Sequence, residues 1–457
     1  RWHFEMPRYS TLIGVALVVV AMVFGGGGTL NPQTEMILEV ATAALLLVIF
    51  VAPDTSAGLP PVPVGAWLAA TPLVLLFLAQ LVPLPPSIWR ILPGREIEAA
   101  ALDLIGAGSA WMPLTVEPPE TFASLLGTLA PIATMLYISR LDLQGRSGVA
   151  LALALVAIAS IALGALQIVR FAGGTWSLYQ LYSDGWLGGF QSNRNAQADV
   201  LQIGMLATAT ASLVRVRRLE FGRLNMPVVF GVIIVMAISV LMTGSRAGIA
   251  LLPITFAFVV AILWPRLKRK VQFLRLWIAG TVTTIAIAGY GLSRSAAIQT
   301  AIGRFGDDTG GRWGFWMDTL LAIRKTWPAG TGIGTFLNAY LAIERLESVN
   351  PLFVNRAHND WLEWTLECGP AGWLAIILTL IVLVWLARAS WRQAAAVQHD
   401  PIQRAQILFS IGTLVIIGLH ALVDYPTRAM SLATIMGVAV AFLTPVSQRP
   451  SVINTGQ

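Results

Sequence analysis

The sequence predicts an all-α integral membrane protein of about 12 transmembrane helices, with a long outer loop that contains amphipathic helices. Three observations predict it. Of 457 residues, 56% are hydrophobic and only 12% are charged, with a mean hydropathy of +0.72; soluble domains carry about twice that charged fraction. Runs of about 17–22 apolar residues recur along the chain, each long enough to cross a bilayer as a helix. The runs are continuous and lack the two-residue alternation of a β-barrel, and helices satisfy their backbone groups internally, as hydrocarbon demands.

Taken in order, the spans fall at 11–25, 36–52, 64–82, 120–138, 147–168, 196–214, 227–243, 247–264, 276–292, 361–387, 407–423 and 429–445. The first run, Leu12 to Phe24, is short and follows Arg1 and Arg8, as in a signal peptide. No small-residue cleavage site follows it, so it is taken as the first span. The chain starts with Arg1 rather than a methionine, which leaves room for a longer native N-terminus. Twelve spans put both termini on one side. The basic connections Arg215–Arg223, Pro265–Arg275 and Arg388–Arg404 all fall on that side, which is therefore expected to be cytoplasmic. The chain divides into residues 1–292, with nine spans and outer loops at 83–120 and 169–195; a long outer loop, 293–360; and residues 361–457, with three spans and a cytoplasmic tail.

A structureless loop as long as 293–360 would be unusual, and this one carries a pattern. Within Gly311–Trp327, Trp313, Trp316, Met317, Leu320 and Trp327 recur at helical spacing, which predicts an amphipathic helix on the membrane surface or capping the bundle. About 13 of the 30 basic residues fall on the outer side, nearly all of them arginine. Arginine is the preferred residue for bidentate binding of phosphate or carboxylate, so this set points to an anionic ligand reached from the periplasm; contact with lipid headgroups would use the same residues. The net charge of +7 does not point to nucleic acid, because its basic residues lie in short clusters between apolar runs. The single cysteine, Cys368, excludes an intrachain disulfide.

Three segments carry candidate chemistry. Thr243–Gly248 (TGSRAG) breaks two spans on the outer side; Ser245 can cap the following helix and Arg246 sits at its N-terminus, which itself attracts anions. A Gly-Ser turn with a snorkelling arginine would look the same. In Gly311–Phe336, Arg312 precedes WPAGTGIGTF, where Gly330, Gly332 and Gly334 can fold the backbone tightly and present N–H groups to an anion. The Gly-Lys-Ser/Thr of a nucleotide-binding loop is missing. In Ala357–Gly372 (AHNDWLEWTLECGPAG), His358 lies just before a span, and Asp360 and Glu363 have the spacing of a capping pair. Glu367 falls about one and a half turns inside the membrane boundary, where an ionisable group is costly and usually functional. Positive charge around His358 would favour the neutral ring that a general base needs. Asn193, Arg194, Asn195, Gln197 and Asp199 near the sixth span, and Asp424 and Arg428 in HALVDYPTR, add polar groups to the same face. A metal held by His358, Asp360, Glu363 and Glu367 is the rival use of these side chains, but two histidines at i, i+4 and a cysteine cluster are both absent from the sequence.

GSRAG at 244–248, GRWGFW…WPAGTGIGTF, AHNDWLEWTLECGPAG and HALVDYPTR together resemble the O-antigen ligase and O-antigen polymerase superfamily, in order and spacing, over roughly residues 180–445. PLPPSIWRILPG and LTVEPPETFASLL are similar to weaker patterns of that family. The resemblance implies a GT-C type membrane glycosyltransferase of the inner membrane that works on the periplasmic face, inverts the anomeric centre and needs no cofactor, nucleotide sugar or metal. Its donor would be an undecaprenyl-diphosphate-linked glycan. Its acceptor would be lipid A–core for a ligase or a second lipid-linked glycan for a polymerase, and the ligase reading is taken first. By matched motif, His358 is implied as the catalytic base, with Glu367 as a residue that orients or tunes it. Arg246, Arg312 and Arg194 are implied as the diphosphate-binding set, with Asp360, Glu363, Asp424 and Arg428 in support. The rival from another class is a transporter or flippase of the same lipid, for which an inverted repeat and midplane polar sites would be expected. A lipid-binding scaffold is the third reading, and it would tolerate substitution of His358.

Overall fold

The computed structural model describes residues 9–27, 32–51, 59–169, 179, 185–213, 225–267, 312–346, 349, 354–396 and 400–446. Among them the protein is almost entirely helical. The helices, numbered in chain order, are α1 (Tyr9–Phe24), α2 (Pro32–Val51), α3 (Val64–Leu81), α4 (Pro86–Trp89), α5 (Glu96–Leu104), α6 (Pro118–Ser139), α7 (Leu143–Val169), α8 (Arg194–Ser212), α9 (Met226–Met242), α10 (Arg246–Leu267), α11 (Arg312–Thr326), α12 (Phe336–Leu341), α13 (Asp360–Ala396), α14 (Pro401–His420) and α15 (Met430–Leu443). A 3-10 turn at Pro426–Arg428 joins the last two, and Pro83–Leu84 pairs antiparallel with Met112–Pro113.

Helices cover eleven of the twelve expected spans, and 276–292 lies outside the described residues. Six are long and apolar enough to cross a membrane: α3, α6, α7, α10, α13 and α14. Helices α1, α9 and α15 are apolar but shorter, as is the Met36–Leu47 part of α2. The remaining expected span, α8, differs in kind. Its residues from Ala196 to Ser212 are all buried, and they include Gln197, Asp199, Gln202, Thr208 and Thr210. Helices α7, α9, α10 and α14 pack around it, so its polar side chains face protein rather than lipid.

Two further features set the site. Helix α13 is broken at Gly369, whose backbone (φ 52, ψ −149) is non-helical and is followed by Pro370, which has no N–H to give the preceding turn. The expected single span at 361–387 is therefore two pieces, and Glu367 belongs to the short first one. The expected amphipathic helix forms as α11 with its apolar stripe turned outward. Trp313, Met317, Leu320 and Trp327 are exposed while Asp318 and Thr319 are buried. Asp318 is matched inside by an ion pair with Arg345 and by the Tyr340 hydroxyl, which donates to it at 3.4 Å.

A main apolar core runs through the bundle. A smaller one, of Ala322, Phe336, Tyr340, Val354, Ala357 and Leu366, joins α11 and α12 to the start of α13. It anchors the residue directly before His358.

Candidate functional site

The starts of α8, α10, α13 and α15 and the ends of α9 and α14 meet at one end of the bundle. Backbone hydrogen bonds fix this meeting: Asp360 N–H donates to the carbonyls of Ala421 (2.9 Å) and Asp424 (3.1 Å), and Leu187 N–H donates to Met242 (3.2 Å). At the opposite end lie Arg146, which donates to the Thr444 carbonyl at 2.7 Å, and Arg266.

His358 sits where the approach to α13 turns. Its φ of 49 is left-handed, a conformation that costs a non-glycine residue roughly 1–2 kcal/mol. Ala357 holds one side of the turn, through its own N–H on Glu363 (3.1 Å) and its carbonyl, which accepts from Trp316 Nε1 (3.0 Å). Asn359 holds the other, its side chain accepting from Leu362 N–H at 3.1 Å. Asn359 is thus the cap of α13, whereas sequence spacing gave that task to Asp360 and Glu363.

The His358 ring is partly exposed and its Nδ1 lies 3.2 Å from Asp424 Oδ1. Asp424 is buried, and Oδ2 accepts from the side chains of Asn195 and, at 3.5 Å, Asn193. Burial alone would raise the Asp424 carboxyl. The hydrogen bond from His358 and the charges of His420, His358 and Arg312 outweigh it and hold the group at about 2. An ionised Asp424 only accepts, so in a neutral His358 the proton sits on Nδ1 and the lone pair on Nε2. Tyr425 packs its ring against His358, centroids 4.9 Å apart, and burial keeps its phenol protonated, pushed up to about 12.

Arg312, the first residue of α11, donates to the Val423 carbonyl at 2.5 Å, one residue from Asp424. Arg194 opens α8, with its guanidinium 4.9 Å from the centre of the Trp186 ring. The TGSRAG turn packs against the same ring. Gly244 has a φ of 63, and a Cβ there would lie 2.1 Å from the indole. Arg246 follows as the first residue of α10, and Ser245 caps the helix as expected, its hydroxyl accepting from Gly248 N–H at 3.1 Å. Arg194, Arg246 and Arg312 therefore open three helices at the end of the bundle that carries His358, and each is partly exposed.

The remaining acidic candidates form a separate, buried assembly. Arg428 reaches Glu367 Oε2 at 2.7 Å, Glu363 Oε1 at 3.1 Å and Asp360 at 3.8 Å, and Arg356 donates to Glu363 Oε1 at 2.8 Å. Burial would lower the Arg428 guanidinium, but its three carboxylate neighbours raise it. Asp360 also accepts from Thr427 N–H and hydroxyl, at 3.1 and 2.7 Å. The glycine loop does present N–H groups to an anion, and the anion is internal: Glu367 Oε1 accepts from Gly334 N–H (2.9 Å) and Phe336 N–H (3.2 Å). Gly330, Gly332 and Gly334 all have positive φ, and a Cβ at Gly330 would lie 2.7 Å from the Glu367 carbonyl oxygen. Glu367 thus braces the loop and Arg428, and Asp424 is the carboxylate on His358. With these carboxylates bonded to arginine, threonine and backbone, no group of three His, Cys, Asp or Glu is arranged to hold a metal among the described residues.

Sequence reasoning singled out His358, Asp424 and the arginines but passed over Arg356, Asn359 and the pairing of Asp199 with His420. Arg356 stands one residue before the AHNDWLEWTLECGPAG segment. Asn359 was hidden by the better-known acidic capping pattern beside it.

The chain was also compared with known proteins. Residues 231–377 match the family model described as O-antigen ligase. Over that stretch, about a third of the chain, the protein is similar to the O-antigen ligase family. The stretch runs from within α9 past the Gly369 break into the second piece of α13, and so contains Arg246, Arg312, the glycine loop, His358 and Glu367. No curated protein matches the chain.

Proposed function

We propose that this protein transfers a glycan from an undecaprenyl-diphosphate carrier to the hydroxyl of an acceptor sugar at the periplasmic face of the inner membrane, with lipid A–core as the acceptor. The observation that carries the reading is the His358–Asp424 pair at the bundle end where three arginine-led helices start. His358 Nε2 takes the proton of the acceptor hydroxyl, whose oxygen forms the new bond to the anomeric carbon. The bond from that carbon to the diphosphate breaks, and a single displacement of this kind inverts the centre. Proton removal by a placed base is typically worth about 10²–10⁴ in rate. Arg194, Arg246 and Arg312 meet the charge that develops on the departing diphosphate, each charge-assisted hydrogen bond contributing about 1.5–3 kcal/mol. The α8, α10 and α11 N-termini add partial positive charge nearby. Charge is handled by arginine and helix ends, so the displacement proceeds without a metal.

The description of the matching family favours ligation; growth of a lipid-linked chain by repeat-unit polymerisation uses the same donor and the same residues. Two experiments test the reading. Purified protein is incubated with carrier-linked glycan and lipid A–core: a new glycosidic product is expected, and a protein that only moves the donor across a bilayer would rule the enzyme out. Gel analysis of glycans after deletion of the gene then separates the acceptors. Loss of all ligated chains supports ligation, and shortening to one repeat supports polymerisation.

A further inference from the structure

A second histidine–carboxylate couple lies inside the bundle. His420, the last residue of α14, places Nδ1 at 2.7 Å from Asp199 Oδ1, in the second turn of α8, with the two side chains 1% and 0% exposed. Neither belongs to the acid–base or diphosphate chemistry above. Four residues beyond His420 comes Asp424, and four and six residues before Asp199 come Asn195 and Asn193, the side chains that hold Asp424 Oδ2. The same two segments are therefore tied twice, once by His420–Asp199 within the bundle and once by Asp424 and the asparagines at its end. The backbone continues the link, with Asp424 N–H donating to the His420 carbonyl at 3.0 Å.

The couple is not finished as a structural tie would be. Among the described residues, His420 Nε2 and Asp199 Oδ2 are buried without a hydrogen-bond partner, as is the side-chain nitrogen of Gln197 on the same helix. Buried polar groups are normally satisfied, and ionisable groups held inside a membrane bundle are usually kept for function. Among the described residues, the charged groups that act on His420 are Asp199 from α8, Asp424 from the turn after α14 and Arg312 from α11. His420 is in turn one of the charges that stabilise the Asp424 anion.

We propose that Asp199 and His420 form a positioning couple, which seats Asp424 against α8 and, as an ion pair, keeps it ionised to fix the tautomer of His358. This rests on the reading of His358 as the base. The couple has no net charge as an ion pair, so removing the histidine alone leaves an unbalanced carboxylate, and removing both charges restores the balance. An extra negative charge near Asp424 makes its carboxyl easier to protonate.

The test is the pH–rate profile of glycan transfer in proteoliposomes. His420→Gln is expected to move the acid limb to higher pH, with kcat at neutral pH down about tenfold and KM for the lipid-linked donor within about twofold. The double variant His420→Gln with Asp199→Asn is expected to return the limb toward wild type, the signature of pairwise coupling. His420→Asn carries the same expectation as His420→Gln. An unmoved acid limb would overturn the proposal, as would a double variant no closer to wild type than the single. Failure of the uncharged variants to accumulate would mark the couple as a structural tie and overturn it equally. His358→Ala distinguishes the levels: full activity there removes the reading of the base, whereas an inactive His358→Ala beside an unshifted His420→Gln removes the couple alone.

Discussion

At the level of single residues, the left-handed backbone of His358 and the carboxylate on its Nδ1 do complementary work. The first turns the ring toward solvent at the bundle end, and the second leaves Nε2 free to take a proton. Asp424→Asn keeps the shape but can donate as well as accept, so it no longer selects the tautomer. Turnover is expected to fall about 10²-fold with little change in donor affinity, read as separate kcat and KM for transfer. At the proposed diphosphate site, Arg312→Ala and Arg246→Ala are expected to weaken donor use, and lysine at either position to rescue only in part, because an ammonium cannot reproduce the guanidinium fork. Wild-type kinetics in both alanine variants would leave the arginines without a role. His358 was legible from the sequence because it combines a loop position with a following helix start. Its partner was only half legible. Asp424 lies 66 residues downstream, and nothing local distinguishes it from Glu367, which is nearer in sequence but bonded to Arg428 and the glycine loop.

At the level of elements, the first piece of α13 and the glycine loop form one unit. Glu367 Oε1 takes two loop N–H groups and Oε2 takes Arg428. Glu367→Ala strips the largely buried Arg428 of a partner and orphans two buried donors, and is expected to destabilise the protein by about 3 kcal/mol, measured as a lowered unfolding midpoint in detergent. Glu367→Gln should cost less. A midpoint unchanged by the alanine variant would contradict the bracing role. Gly369→Ala is expected to be destabilising by at least about 1 kcal/mol, since a Cβ there falls 2.2 Å from the Pro328 carbonyl oxygen and φ is 52. The Gly369–Pro370 break was written in the sequence as a helix breaker inside an apolar run. Hydropathy averaged across it and merged two pieces into one span. The α11 stripe shows the converse: its period was correct, but the pattern alone did not say which side faces protein, and buried Asp318 reverses the soluble-helix convention.

At the level of the whole molecule, the membrane class followed from composition, because no soluble fold tolerates such hydropathy, and the order of elements followed from the apolar runs. The exception is α8, whose glutamines, threonines and aspartate lower its hydropathy; surrounding helices replace lipid as its solvent. Packing of that kind is not visible in one-dimensional hydropathy. The charge distribution carries a pH prediction. Asp424 is held at about 2 when folded, below its unfolded range of about 4. Its stabilising contribution is therefore complete above about pH 4 and is lost as the pH falls through about 2. Thermal unfolding between pH 5 and pH 2 should show this loss in the wild type and a shallower one in Asp424→Asn; equal slopes would contradict it.

The central claim is that His358 removes the proton of an acceptor hydroxyl as a diphosphate carrier departs. It is tested most directly by single-turnover transfer in proteoliposomes, following release of undecaprenyl diphosphate and formation of the joined glycan from bound donor. The wild type is expected to release carrier and form product together, and His358→Ala to bind donor equally while both steps slow by at least about 10². Release and product formation at wild-type rate in His358→Ala would contradict the account.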